Sequence, residues 1–243
     1  MKRAFWLTLV ALLAFAAILL ARLPASWMLP LARRAHAGCA SIEGTLWSGA
    51  CGGLTVNGAA LGDLTWDLHA LALLRLRLAA AVSLLGPAAH GSAELEASAG
   101  GALRAHAVRA DLTLEPRLLP GLPANLHGTA HAELARLALD ERGLREIEGR
   151  IEARDLEERS GENTLLGSYE VRFPGGGALT GAVRDLGGPL EVSGTLHLSA
   201  EGFELQGQVA ARRSASAELT DGLRFLGTPD AAGRRTFDIS GSF

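Results

Sequence analysis

Some residues of this 243-residue chain have types and spacings that suggest chemistry. His127 and His131 stand four apart, a spacing that on a helix brings two imidazoles to one metal ion. They fall in a stretch of strict apolar/polar alternation, residues 126–134, and four residues of strand separate them by about 13 Å, too far to share an ion. His69, His106 and His197 occupy isolated positions on or between such stretches. Ser48 lacks the G-x-S-x-G frame of a nucleophile elbow, because Leu46 stands where its first glycine belongs. Gly175-Gly176-Gly177 has no Lys-Ser/Thr behind it and opens no helix, so it reads as a turn rather than a phosphate loop. Glu152, Asp155, Glu157 and Glu158 are acid/base types, yet Arg150, Arg154 and Arg159 beside them point to a solvated, self-compensating surface. These patterns predict a protein that is not an enzyme, with no catalytic residue, no metal site and no cofactor.

Cys39 and Cys51 are the two cysteines, six residues either side of Thr45 in CASIEGTLWSGAC. A fold-back near Gly44 or Gly49 lets the sulfurs face each other, and closing so short a loop contributes about 2–3 kcal/mol. The other reading is two buried free thiols in a reducing compartment. Two thiolates alone lack the partners of a tetrahedral metal site.

The elements that position these residues follow from composition and period. The chain is 48% hydrophobic and 20% charged, with a net charge of −3, so it is neither disordered nor basic enough for a nucleic-acid binder. Arg212-Arg213 and Arg234-Arg235 lack interleaved aromatics, and stacking on bases has no support. Thirty glycines against 7 Phe, 4 Trp and 1 Tyr suggest many turns joining strands of small residues.

Residues 5–21 are an uncharged apolar run ended by Arg22 and Pro24. Trp6 and Trp27 bracket it, and twenty-one helical steps put them about 30 Å apart, the thickness of the hydrocarbon core. A cleaved signal peptide ends in a small-x-small site, whereas Arg22-Leu23-Pro24 follows here. The run predicts a single-pass anchor formed by Phe5, Trp6, Leu13, Phe15 and Leu20, with Trp27 at the far interface. Charges balance across it, so orientation rests on the length of the following domain and on the cysteines, which favour an N-terminus inside and a bulk outside, in an oxidising compartment. The domain division is 1–37, comprising an inner tip, the anchor and a short helix beyond it, and 38–243, a β-rich domain. Three prolines and a glycine in PRLLPGLP mark a sub-boundary near 116–124.

From residue 40 onward the period is two. Alternating stretches at 62–68, 74–84, 93–99, 108–114, 126–134, 147–153, 190–198, 203–209 and 237–243 each put small or aliphatic residues on one face and charged or hydroxyl residues on the other. With glycine-rich turns between them, they predict a mainly β fold. It is a curved antiparallel meander whose apolar face packs on a second sheet or curls on itself into an incomplete barrel or groove.

Several stretches, in order and spacing, resemble the type II secretion system protein N family. They are Leu23-Pro24-Ala25-Ser26-Trp27 after the apolar run, then Glu43-Gly44-Thr45-Leu46-Trp47-Ser48-Gly49, and Leu61-Gly62-Asp63-Leu64-Thr65-Trp66. Asp185-Leu186-Gly187-Gly188-Pro189-Leu190 and Leu226-Gly227-Thr228-Pro229-Asp230 with Gly233-Arg234 complete the set. The resemblance implies a non-catalytic, single-pass subunit of the bacterial inner membrane, with a cytoplasmic tip, a short periplasmic helix and a periplasmic β-rich domain, whose partners are other secretion subunits and whose task is export of folded proteins. The 44–49 stretch reads as a strand ending in a glycine turn, with Leu46 or Trp47 facing the core. Trp47 and Trp66 then pack as anchors of the sheet or, alternatively, present a contact surface to a partner. The alternative function is a lipid-binding or lipid-transfer module similar to the AsmA-like group, its apolar groove holding phospholipid.

Overall fold

The computed structural model describes residues 6, 12, 15, 19, 22–28, 37–70, 72, 77–98, 100–114, 123–160 and 163–242. Among these, no helix is long and apolar enough to cross a membrane. Most of the expected anchor lies outside the described residues, including Phe5, Leu13 and Leu20, as do residues 29–36 and 115–122. Trp6 and Phe15 are described and exposed, and Trp27 sits in a 3₁₀ turn, Ala25–Met28.

The described residues form one antiparallel sheet of fourteen strands. They begin with β1 (Ala37–Gly38), β2 (Ser41–Gly44), β3 (Ser48–Val56), β4 (Ala59–Leu68), β5 (Arg77–Leu85), β6 (Ala89–Ser98) and β7 (Leu103–Thr113). The sheet continues with β8 (Leu126–Asp140), β9 (Gly143–Arg159), β10 (Asn163–Pro174), β11 (Thr180–Asp185), β12 (Leu190–Leu198), β13 (Gly202–Ala211) and β14 (Arg235–Ser242). A short helix, α1 (Ala217–Gly222), and a 3₁₀ turn, Leu223–Leu226, lie between β13 and β14. From β3 to β14 each strand pairs with the next in sequence; β1 and β2 share the other edge of β3. The sheet does not close: β14 pairs with β13 alone among the described strands. The 116–124 pause joins β7 to β8, which pair directly, so the sheet runs on across it.

Alternation explains which side of each strand is apolar, and its interruptions explain the irregularities. On β7, Ala105 lies opposite Leu95 and Val108 opposite Leu134, so the apolar positions change from odd to even. The change is absorbed at Ala107, whose φ of 49° is left-handed and whose side chain is exposed. Asp155, with φ 51°, plays the same part between Ala153 and Leu156 on β9. The apolar face thereby stays continuous, from Leu64 opposite Leu84 through Ile151 opposite Val171 to Leu205 opposite Ile239.

Two clusters hold that face together. Near the start, Ala25, Cys51 and Trp66 are buried, with Ile42, Leu54, Leu64 and Val82 packed around them. In the middle, Leu134, Ile147 and Phe173 gather Val108, Ile151, Val171, Leu196 and Leu198. Phe173 on β10 reaches the leucines of β12 across β11 because Gly181 stands between them. A Cβ there would lie 2.8 Å from the Phe173 ring. Small residues under rings thus let distant strands approach, which is how a chain poor in aromatics forms these contacts.

Candidate functional site

The motif-bearing residues converge at two places. At the first, the segment entering the sheet folds back on it. Pro24 bridges Thr45, Leu46 N–H donates to the Leu23 carbonyl at 2.8 Å, and Ala25 is 1% exposed against Cys51 and Trp66. The Trp66 indole Nε1–H donates to the Leu46 carbonyl at 3.1 Å, and its ring lies over Gly49, where a Cβ would come within 2.5 Å of Cζ2. Cys39 and Cys51 form a disulfide with their Cα atoms 5.5 Å apart, and Leu64 lies opposite Cys51 on β4. Gly62 pairs with Leu54 nearby.

The 44–49 stretch differs from the expected strand. Gly44 pairs with Gly49, Thr45 N–H donates to the Ser48 carbonyl, and residues 45–47 are the turn between β2 and β3. The Thr45 hydroxyl, which accepts from Ser48 N–H at 3.2 Å, stabilises that turn, an advantage alternation does not register. Trp66 packs in the core, while Trp47 is half-buried beside the turn.

At the second place, Gly187-Gly188-Pro189 turns β11 into β12. The Asp185 carboxylate accepts from Gly187 N–H and Val192 N–H, both at 3.2 Å, and pairs with Arg212 Nη2 at 2.7 Å. Arg212 Nη1 donates in turn to the carbonyls of Gly188 and Leu190. Burial pushes the Asp185 carboxyl up, but the hydrogen bonds from Arg212 and Val192 and the Arg212 charge outweigh it and hold it below the usual range. Burial also pushes the Tyr169 phenol up; its O–H donates to the Leu166 carbonyl. Beyond Arg212 the chain forms α1, capped by the Ser216 hydroxyl on Leu219 N–H and tied to β10 by Glu218 with Thr164. Leu226 and Gly227 end the following 3₁₀ turn; after Pro229, Asp230 accepts from the N–H groups of Ala232 and Arg234. Ser216 preceding an acidic first turn is the signal that identifies this helix, too short to show a 3.6 period.

The polar face is cross-braced. Glu152 and Glu170 stand directly opposite each other, a like-charge pair that repels unless compensated. Arg154 pairs with Glu152, and Arg184 with Glu170 at 2.9 Å; Arg172 is 3.4 Å from Glu170. Glu152 and Glu170 are nevertheless buried, unlike the solvated surface expected of residues 150–159. Long arginines laid across the strands cover them. Burial pushes the Glu170 carboxyl up, but its bond from Arg184 and the charges of Arg172, Arg184 and Arg150 carry it below the ordinary value. The hydrogen bond from Arg150 lowers Glu133 likewise.

His127 lies opposite Glu157. His131 is half-buried, its Nδ1 2.7 Å from Asp111 and its Nε2 3.5 Å from Glu133, while His90 Nε2 approaches Asp111 at 3.2 Å. Sequence spacing does not reveal this set, because His90, Asp111 and His131 meet by register across β6, β7 and β8. Among the described residues no group of three or more His, Cys, Asp or Glu is arranged to hold a metal.

The apolar face opens into a trough of about 450 Å³ between β9 and β14, with Val171, Val183, Leu196 and Leu205 on its floor and Leu223 and Leu226 at its rim. A long one-faced meander, braced by ion pairs on its wet side and hollowed on its apolar side, defines a scaffold or binding sheet. The family model described as "Type II secretion system (T2SS), protein N" matches residues 35–238, and the chain belongs to that family. No curated protein and no solved structure matches the chain. Family membership makes it a structural component of a secretion system of the bacterial envelope, associated with other subunits of that system.

Proposed function

We propose that the protein is a non-catalytic, single-pass inner-membrane subunit of the type II secretion system, serving export of folded proteins from the periplasm across the outer membrane. Residues 1–37 tether it, with the N-terminus cytoplasmic, and residues 38–243 stand in the periplasm. The observation that carries this reading is the family match, which extends from before β1 into β14. The clamp of Pro24 and Ala25 onto the first strands supports it, since a tether fixed this closely holds the sheet at a set position beside the membrane. Trp47, at the rim of that clamp, is the proposed contact for a partner subunit, and the edge of β14, unpaired among the described strands, is suited to strand addition.

Deletion of the protein should block appearance of secreted substrates outside the cell, with substrate retained in the periplasm, and the full chain should restore export. In-cell photocrosslinking from position 47 should recover secretion subunits. Normal export in the deletion strain would overturn the reading.

A further inference from the structure

We infer that the trough between β9 and β14 holds one acyl chain of an anionic membrane phospholipid, with Arg235 at its end receiving the phosphate. The inference rests on the apolar face rather than on the export role, so either can fail without the other.

The lining explains why the occupant is hydrocarbon. Its side chains, Val171, Val183, Leu196 and Leu205 among them, are aliphatic or aromatic, and the one hydroxyl, on Tyr169, is already spent on the Leu166 carbonyl. A peptide lying there would bury backbone N–H and C=O groups with nothing to bond, at a cost a hydrocarbon chain does not incur. A volume of about 450 Å³ falls in the range of about 300–1,000 Å³ usual for small-molecule sites.

Charge identifies the head. Arg235 lies opposite Val209 on β13 and two residues before Phe237, which places it on the apolar face where the trough meets the α1 end of the sheet. Of the neighbouring arginines, Arg212 pairs with Asp185, Arg224 with Asp221 and Arg234 with Asp230, while Arg213 lies in the loop after β13, outside the trough lining. Arg235 makes no ion pair or side-chain hydrogen bond among the described residues, although it is only half exposed. A guanidinium at the end of an apolar channel fits a phosphate bidentately. The mouth leaves room for the rest of a two-chain lipid. Phe225 is 93% exposed beside Leu226, and Ile239 on the open edge strand is 51% exposed.

The test uses the full chain in the membranes of its own cells. A photo-reactive diazirine amino acid replaces Leu196 in the trough or, as the opposite-face control, Ser193. After irradiation, mass spectrometry of the labelled peptide should find phospholipid adducts at 196 exceeding those at 193 by about tenfold, equivalent to about 1.4 kcal/mol of preference. In the Leu196 background, Arg235→Glu should cut adducts of phosphatidylglycerol about tenfold relative to phosphatidylethanolamine, and Arg235→Lys should retain most of them. Arg235 is on an edge strand outside both buried clusters, and an unchanged protease-resistance pattern verifies folding of its variants. Polypeptide adducts at 196, fatty-acid adducts alone, equal lipid labelling at 193 and 196, or no adduct at either would overturn the inference. An unaltered headgroup ratio in Arg235→Glu would overturn the assignment of Arg235.

Discussion

The two ends of the sheet solve the same problem by different means. Around β1–β4 the chain is fastened covalently and by capture: the disulfide, the Pro24 bridge and the Trp66 ring over Gly49 close a small core that leaves Cys51 and Ala25 1% exposed. Around β9–β14 nothing is stapled; ion pairs such as Arg184 with Glu170 brace the polar face, Asp185 with Arg212 ties the β11–β12 turn, and the apolar face is left open as a trough. On the proposed reading, the difference separates holding from receiving. A tether needs one fixed geometry, whereas a surface that admits a partner must keep apolar area uncovered.

The comparison can be broken away from the stapled end most severely at Phe173, 2% exposed, whose cluster joins side chains of β7–β10 to β12. Phe173→Ala should cost about 3–5 kcal/mol, read as a lower denaturant midpoint, with hydrogen exchange accelerated in β8–β12 and little changed in β1–β4. Cys51→Ser should act on the other end, costing about 3 kcal/mol from reopening a short loop. Its faster exchange should be confined to β1–β4, and a reductant should mimic it in the unaltered protein. Asp185→Ala leaves Arg212 unpaired and two N–H groups without their acceptor; a loss of about 1–3 kcal/mol should appear with faster exchange at Val192.

Acid gives the gentlest discrimination. Glu170 and Asp185 both titrate below their ordinary values in the folded chain, so on acidification the unfolded chain takes up protons first. Their stabilisation is complete above the usual carboxylate range of about 4 and is lost as the pH falls through the lower folded values. Thermal melts between pH 7 and 3 should show this decline, and Glu170→Gln should flatten it.

Much of this was legible in the sequence because one-sided burial imposes a period of two, and that period places Leu190, Val192, Leu196 and Leu205 on one face directly. Even the bulges leave a trace, in the shift of apolar parity from Ala105 to Val108. The 44–49 stretch was misread because its small and apolar residues suit a strand, while the Thr45 hydroxyl bond that makes a turn is local chemistry. The capture of Ala25 by Cys51 and Trp66, and the meeting of His90, Asp111 and His131, depend on register and fold-back, which no spacing along the chain encodes. The trough was foreseeable only as one of two outcomes, a second sheet or a curl. What distinguishes them is how closely β10 and β12 approach over Gly181.

The topology has a consequence for how the molecule comes into being. Because every pairing from β3 to β14 joins strands adjacent in sequence, no strand must wait for a distant partner. Loop-closure entropy stays small at every step, and the sheet can grow rung by rung from its stapled beginning while the remainder is still being synthesised.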